Sequence, residues 1–217
     1  MLVPIRDMSR PSAKALLTEV LLGSTSIAFL AQIAIGLEAS VWQAGVIPWE
    51  IVHLERVDLP SRIAPALTLV ASVFLHGGVL HLTSNMLYLW VFGPSVEHAL
   101  GRTRYALLYV SAGLIGMAAH ALSDPNVVVP AVGASGAVSG ILGAHLFLVP
   151  RGRIRALLIL FIFIPVVELP AVFLIGMWAV MQLGVALLGT NGSVAVYAHL
   201  AGFVVGCAVA NQHRRHP

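Results

Sequence analysis

Charge is scarce in this sequence. Asp, Glu, Lys and Arg make up 10% of its 217 residues, against about 25% in soluble globular domains. Too few polar side chains are present to coat a water-facing globule of this size, so a soluble domain is excluded. A hydrophobic share of 59% excludes a disordered chain. A single cysteine, Cys207, allows no intrachain disulfide and excludes a disulfide-stapled secreted domain. The pI near 9.5 comes from a few scattered arginines and not from a basic patch, so nucleic acid is not an expected partner. Fixed-period repeats and low-complexity tracts are also missing.

What is present is a series of long uncharged runs. A spanning helix needs roughly 20 mostly apolar residues. Windows without Asp, Glu, Lys or Arg that approach this length lie at Val20–Leu37, Val79–Val96, Ala106–Leu122, Gly133–Val149, Ala171–Leu188 and Val194–Asn211. They predict an all-α membrane protein, a bundle of six transmembrane helices forming a single polytopic domain over residues 1–217. Residues 1–19 form a cytoplasmic N-terminal segment that is not a cleavable signal peptide, because further spans follow its apolar run. The shorter run Ala156–Val167, closed by Glu168-Leu169-Pro170, suits an interfacial or re-entrant piece or an extension of the fifth span.

Orientation follows from the basic residues in the connections. With six spans, ten of the 12 Lys and Arg share one side, leaving only Arg56 and Arg62 on the other. Both termini are therefore expected in the cytoplasm, and the compact chain points to a bacterial plasma membrane. Residues 38–75 make one long external loop carrying Trp42 and Trp49, whose amphipathic rings suit the headgroup level. A loop of that length in a small membrane protein is expected to be structured or functional.

Polar residues inside the spans are expensive and face a cavity or a partner. The candidates are His81 and Asn85 in the second span, His120 in the third, Ser135 and His145 in the fourth and His199 in the sixth. The second, fourth and sixth spans run in the same direction, and His76, His81, Asn85, Ser135 and His199 all lie near their outer ends. His81 and Asn85 are i and i+4, on one helix face. Ser135 stands in Gly133-Ala134-Ser135-Gly136, where the first turn of a helix offers unpaired N–H groups and a positive dipole end to an oxyanion. His199 could take the serine proton as general base. No Asp or Glu lies in the uncharged windows of these three spans, so the composition permits a Ser-His dyad and not a Ser-His-Asp triad. The same features also have a packing explanation. Glycine tetrads and Gly202-Phe203-Val204-Val205-Gly206 serve as helix-packing devices, and membrane histidines as interhelical hydrogen-bonding groups. His120 and His145 fit that structural role.

Taken together, His76-Gly77-Gly78-Val79-Leu80-His81-Leu82-Thr83-Ser84-Asn85, the turn from Glu97 to Gly101, Gly133-Ala134-Ser135-Gly136, and Ala198-His199 followed by Gly202 and Gly206 resemble the rhomboid family of intramembrane serine proteases. The resemblance covers about residues 45–210. It implies Ser135 as nucleophile, His199 as general base, and an oxyanion hole from His81, Asn85 and the Ser135 backbone N–H, with His76, Gly133, Gly136, Gly202 and Gly206 in support. It implies Glu97 paired with Arg102 or Arg104, and Ala171–Leu188 as a mobile fifth span beside the substrate's path. No metal or cofactor is implied, and the partners are transmembrane segments of protein substrates and the bilayer itself. Two positions depart from the family pattern. Ser139 stands where some relatives carry an aromatic residue that stacks on the histidine, and the long loop has Trp49-Glu50 in place of a Trp-Arg pair. Two rival readings remain: a client-binding protein that keeps the fold without the chemistry, and a small His-lined transporter of protons or metal ions. The transporter would need polar groups spread through the membrane depth, whereas these cluster at one level.

Overall fold

The computed structural model describes residues 2–58, 62–188 and 195–215. Val194, which opens the sixth uncharged window, and residues 59–61 of the long loop lie outside them. Six long helices carry the fold: α1 (Leu16–Ile35), α5 (Val79–Leu100), α6 (Arg102–Ser123), α7 (Ser135–Leu148), α8 (Ala171–Leu188) and α9 (Val196–Arg215). Three of them, α1, α6 and α8, are long and apolar enough by length and composition to cross a membrane. Three short helices, α2 (Leu37–Ala44), α3 (Pro48–His53) and α4 (Pro65–Ala71), build the loop between α1 and α5.

The protein is not purely helical. Strand β1 (Leu2–Asp7) pairs antiparallel with β2 (Arg153–Leu158), which pairs antiparallel with β3 (Val166–Pro170). The N-terminal segment and the Ala156–Val167 run therefore form one small sheet, and neither an interfacial helix nor an extension of α8 is present. The reason is local: the β-branched and apolar run is too short for a span, and Arg153 and Arg155 at its start suit a wetted strand better than hydrocarbon. Hairpin partners alone are marginal; β1 supplies the third strand.

Helix α7 lies at the centre. All ten residues from Gly136 to His145 are buried, and it packs against α9, α6 and α5. The approach to α9 is backbone on backbone. A methyl group at Gly202 would sit 2.1 Å from the Gly136 carbonyl oxygen, and one at Gly206 would sit 1.9 Å from that of Gly140. Reciprocally, a methyl at Gly143 would meet the Phe203 carbonyl at 2.2 Å. Small residues are needed here because lipid chains are as apolar as leucine, so close van der Waals contact drives helix association in a membrane.

Two buried polar clusters tie the sheet end of the bundle. Asp7, at the end of β1, accepts hydrogen bonds from Ser95 Oγ of α5 at 2.6 Å, from His145 Nε2 of α7 at 3.0 Å and from the Ser9 N–H at 2.8 Å. Glu97 of α5 accepts the Leu17 and Thr18 N–H groups, at 3.0 and 2.8 Å, and the Thr18 hydroxyl at 2.7 Å. It thereby caps the N-terminus of α1, where orphan N–H groups and the helix dipole favour a carboxylate. The expected pairing of Glu97 with Arg102 or Arg104 does not form. Arg104 instead meets His213 of α9.

The Gly206 contact leaves no room for a side chain, so Gly206→Ala is expected to cost about 2–3 kcal/mol through helix separation. Thermal unfolding in detergent micelles checks this, read by dye labelling of Cys207, whose thiol lies 3.7 Å from the Gly143 carbonyl. A second expectation concerns acid. Burial works to raise the Asp7 carboxyl, but its bonds from His145, Ser95 and Ser9 prevail and hold it below the ordinary carboxylate value. A depressed folded-state value contributes stability above the unfolded value, near 4, and loses it as pH falls through the folded one. Asp7→Asn should therefore unfold more easily than the native chain at pH 7, with the difference shrinking below about pH 4 in melts across pH 3–8.

Candidate active site

The opposite end of the bundle gathers the remaining polar residues. Ser135 is the first residue of α7, preceded by Gly133 at φ +134°. That left-handed backbone is open to glycine and strained for other residues. The Gly133 N–H donates to the Ser72 carbonyl at 2.8 Å, and Val46 and Ala131 exchange backbone hydrogen bonds at 2.7 and 2.9 Å. The segment leading to the serine is thereby fixed against the long loop.

The long loop has its own buried centre. Glu50 of α3 and Arg62 form an ion pair at 2.7 Å with both side chains fully buried. Arg62 also donates to the Trp42 and Gly45 carbonyls, and Glu50 accepts the Val57 N–H at 3.1 Å. Both charges are thus paired and hydrogen-bonded, the condition for burying them. From α1, Gln32 clasps the backbone of His76: the His76 N–H donates to Gln32 Oε1 at 2.9 Å and the Gln32 amide donates to the His76 carbonyl at 3.3 Å.

His76 is fully buried, its ring edge-on to His81 with centroids 5.1 Å apart. It stands in the loop ahead of α5, where burial, helped by the nearby His81, pushes it down to about 4 and keeps it neutral. His81 Nδ1 faces the Gly77 N–H at 3.4 Å. Accepting there leaves the His81 proton on Nε2. That nitrogen points toward the serine turn, since a methyl at Gly133 would lie 2.8 Å from His81 Nε2 and 3.8 Å from Ser135 Oγ. Asn85 is buried, and its amide donates to the His81 carbonyl at 2.9 Å.

On the far side, a methyl at Gly136 would lie 3.5 Å from the Ala198 carbonyl. The residue after the serine thus meets the residue before His199. A direct Ser135–His199 hydrogen bond is not formed among the described residues. His199 Nδ1 instead faces Gln182 Oε1 of α8 at 2.9 Å. The Trp178 ring, also from α8, lies tilted beside His199 with centroids 6.2 Å apart. Ser139 turns back to donate to the Ser135 carbonyl at 2.6 Å and does not reach the imidazole. His145 is remote from this cluster, in the Asp7 pair at the sheet end. Glu50, Arg62, Gln32 and Gln182 escaped sequence reasoning. An amide alone in the apolar run Ala171–Leu188 was the available signal for Gln182. The Glu50–Arg62 pair, twelve residues apart across a loop, gave none.

The comparisons decide the family. A family model described as Rhomboid domain matches residues 65–215. The chain belongs to the rhomboid family. It is 30% identical over 184 residues to Rhomboid protein 1, mitochondrial, of Saccharomyces cerevisiae, covering 79% of this chain and 49% of that one. It is 40% identical over 85 residues to Rhomboid protease GluP of Bacillus subtilis, covering 39% of this chain and 16% of that one. Similarity to RHOMBOID-like protein 5 of Arabidopsis thaliana is 44% over 78 residues, 36% of this chain and 25% of that one. The chain spans less than half the length of each of these relatives. Family and apolar helices together make this rhomboid protein a multi-pass membrane protein.

The Gly133 geometry yields a contrast that can be measured. Gly133→Ala combines a left-handed backbone with a methyl group against the His81 ring, and is expected to destabilise by about 2–3 kcal/mol. Gly23→Ala in α1, where nothing lies within 4 Å, should be neutral or gain about 0.5–1 kcal/mol. Parallel thermal melts of the two variants check both.

Proposed function

We propose that this rhomboid protein is an intramembrane serine endopeptidase that hydrolyses peptide bonds in or near transmembrane segments of other proteins. Ser135 is its nucleophile and His199 its general base. The carrying observation is the backbone contact between Gly136 and Ala198, which sets the serine and histidine ends of α7 and α9 side by side. On this reading all six long helices span the membrane as one domain, with both termini in the cytoplasm and the site opening outward. The proposed membrane is a bacterial plasma membrane; the basic-residue count bears only on which side faces the cytoplasm, and several relatives are named as mitochondrial.

The depth of the site supports the reading. At 1.5 Å per residue the 14 residues of α7 reach about 21 Å, against a hydrocarbon core of about 30 Å. Its sheet end is held by His145 and Asp7, so the shortfall falls at the Ser135 end. The serine then sits below the outer surface, screened by neighbouring helices from lipid and reached by water from outside.

The chemistry follows from the atoms in place. Ser135 Oγ attacks the scissile carbonyl carbon while its proton passes to His199 Nε2, the nitrogen not engaged by Gln182. The former carbonyl oxygen takes up negative charge. The Ser135 N–H, at a helix N-terminus, and the His81 Nε2–H stabilise it, with the Asn85 amide after it releases the His81 carbonyl. Collapse of this adduct breaks the C–N bond, and the imidazolium returns its proton to the leaving amine. Water, deprotonated by the same histidine, then hydrolyses the acyl-serine. No metal or cofactor takes part. A substrate helix hides its carbonyls in i→i−4 bonds, so the cut falls where small or helix-breaking residues let it unwind.

The test is cleavage of a single-span reporter protein in proteoliposomes. The native chain should cleave, and Ser135→Ala and His199→Ala should each lose at least about 10³-fold in rate. A fluorophosphonate should label the native serine and spare Ser135→Ala. Absence of cleavage and of labelling in the native chain would favour the client-binding alternative. Cleavage surviving Ser135→Ala would assign the nucleophile elsewhere.

A further inference from the structure

We infer that Gln182 on α8 is a positioning residue for the His199 base, biasing its tautomer, so that docking of α8 favours the competent form of the base. The inference rests on the Ser135–His199 reading above. An amide oxygen can only accept, so the 2.9 Å contact from Gln182 Oε1 places the imidazole proton on Nδ1 and the lone pair on Nε2. That is the tautomer a serine base requires. In a Ser-His-Asp triad a carboxylate does this work. Here the acidic groups of α5 and β1, Glu97 and Asp7, are engaged at the far end of the bundle.

The placement of Gln182 is itself informative. It is 6% exposed, whereas its neighbours Met181 and Leu183 are 55% and 49% exposed. An amide turned inward from a lipid-facing helix needs a partner, and among the described residues His199 is the one it has. One turn earlier, Trp178 lies beside the imidazole and also packs on Phe203 of α9, with ring centroids 5.8 Å apart. The titratable groups that act on His199 are His81 of α5 and His120 of α6, and neither bonds to its Nδ1. Moving α8 outward would thus remove the tautomer-biasing acceptor and the Trp178 ring together. The base would then be free to take the Nε2-protonated form, which cannot accept the serine proton.

Reporter cleavage by full-length protein in proteoliposomes and 15N NMR of histidine-labelled protein in micelles test this together, with His199→Ala assigning the resonance. Gln182→Met, similar in size but without an acceptor, should lower kcat about five- to tenfold with KM unchanged. Its His199 should gain the Nε2-protonated tautomer, whereas native His199 should be protonated on Nδ1. Gln182→Glu keeps an acceptor opposite Nδ1. It should restore kcat and move the acid limb of the pH profile upward, because a carboxylate favours the imidazolium. Native kcat and tautomer in Gln182→Met would overturn the inference, as would a native His199 protonated on Nε2. Should Gln182→Met not fold, the native tautomer and the Gln182→Glu pH profile still decide it. The tautomer is read without turnover, so a failed dyad, seen as cleavage surviving Ser135→Ala, is distinguishable from a failed positioning role.

Discussion

The contact between α7 and α9 sets the terms for everything else in this molecule. Three glycines, Gly143, Gly202 and Gly206, meet carbonyl groups of the facing helix at distances that admit no side chain. Helices this close share a large van der Waals surface, the main attraction available between apolar helices in lipid. The contact runs from the serine end of α7 toward its sheet end. A small shift in crossing angle would thus be magnified at Ser135 and His199, which stand at the end of the shared seam.

Glycine seams attract without specifying register, since every smooth stretch resembles the next. Direction comes from polar ties at both ends. At the sheet end, Asp7 joins β1, α5 and α7 through Ser95 and His145, and Glu97 holds α1 to α5. At the other end, Gln32 binds the backbone of His76, and Glu50 and Arg62 hold the long loop together. A one-turn slip of any of these helices would leave a carboxylate or amide buried without a partner, costing about 1–3 kcal/mol per group or more. Close packing supplies affinity between the helices, and the buried hydrogen bonds select one arrangement.

Much of this was legible in the residues. Long uncharged windows anticipate the centres of the helices, because the cost of charge in hydrocarbon is written directly into composition. The spacing of His81 and Asn85 and the glycine pattern around Ser135 and His199 anticipate which ends of α5, α7 and α9 come together. Helix starts were less legible: α1 begins at Leu16, ahead of the uncharged window that opens at Val20, because Glu19 is carried in its first turn. The sheet was not legible, since β1 and β2 are separated by nearly the whole bundle and their pairing is a matter of tertiary proximity. Glu97 as a helix cap, the Glu50–Arg62 pair and the Gln182–His199 bond share that limit. Each joins residues whose separation carries no periodicity, and hydrogen bonding between distant side chains leaves no mark on a local window.

The helices are not equally committed to the bundle, and the difference has a structural basis. The most apolar stretches of α1 and α8 are each 22% buried, against 39% for α6. Exposure alone would make α1 and α8 equally free to move. But α1 is capped by Glu97 at one end and tied through Gln32 near the other. For α8, the side-chain hydrogen bond to the bundle among the described residues is the one Gln182 accepts from His199, with β3 holding its base. Interhelical hydrogen bonds in membranes are worth about 0.6 kcal/mol on average. Swinging the half of α8 remote from β3 away about its β3 end therefore breaks little beyond that bond and the Trp178 contacts, whereas displacing α1 would uncap a helix and release the His76 loop. Of the peripheral helices, α8 is the one whose displacement costs least, and it departs from the side on which His199 stands.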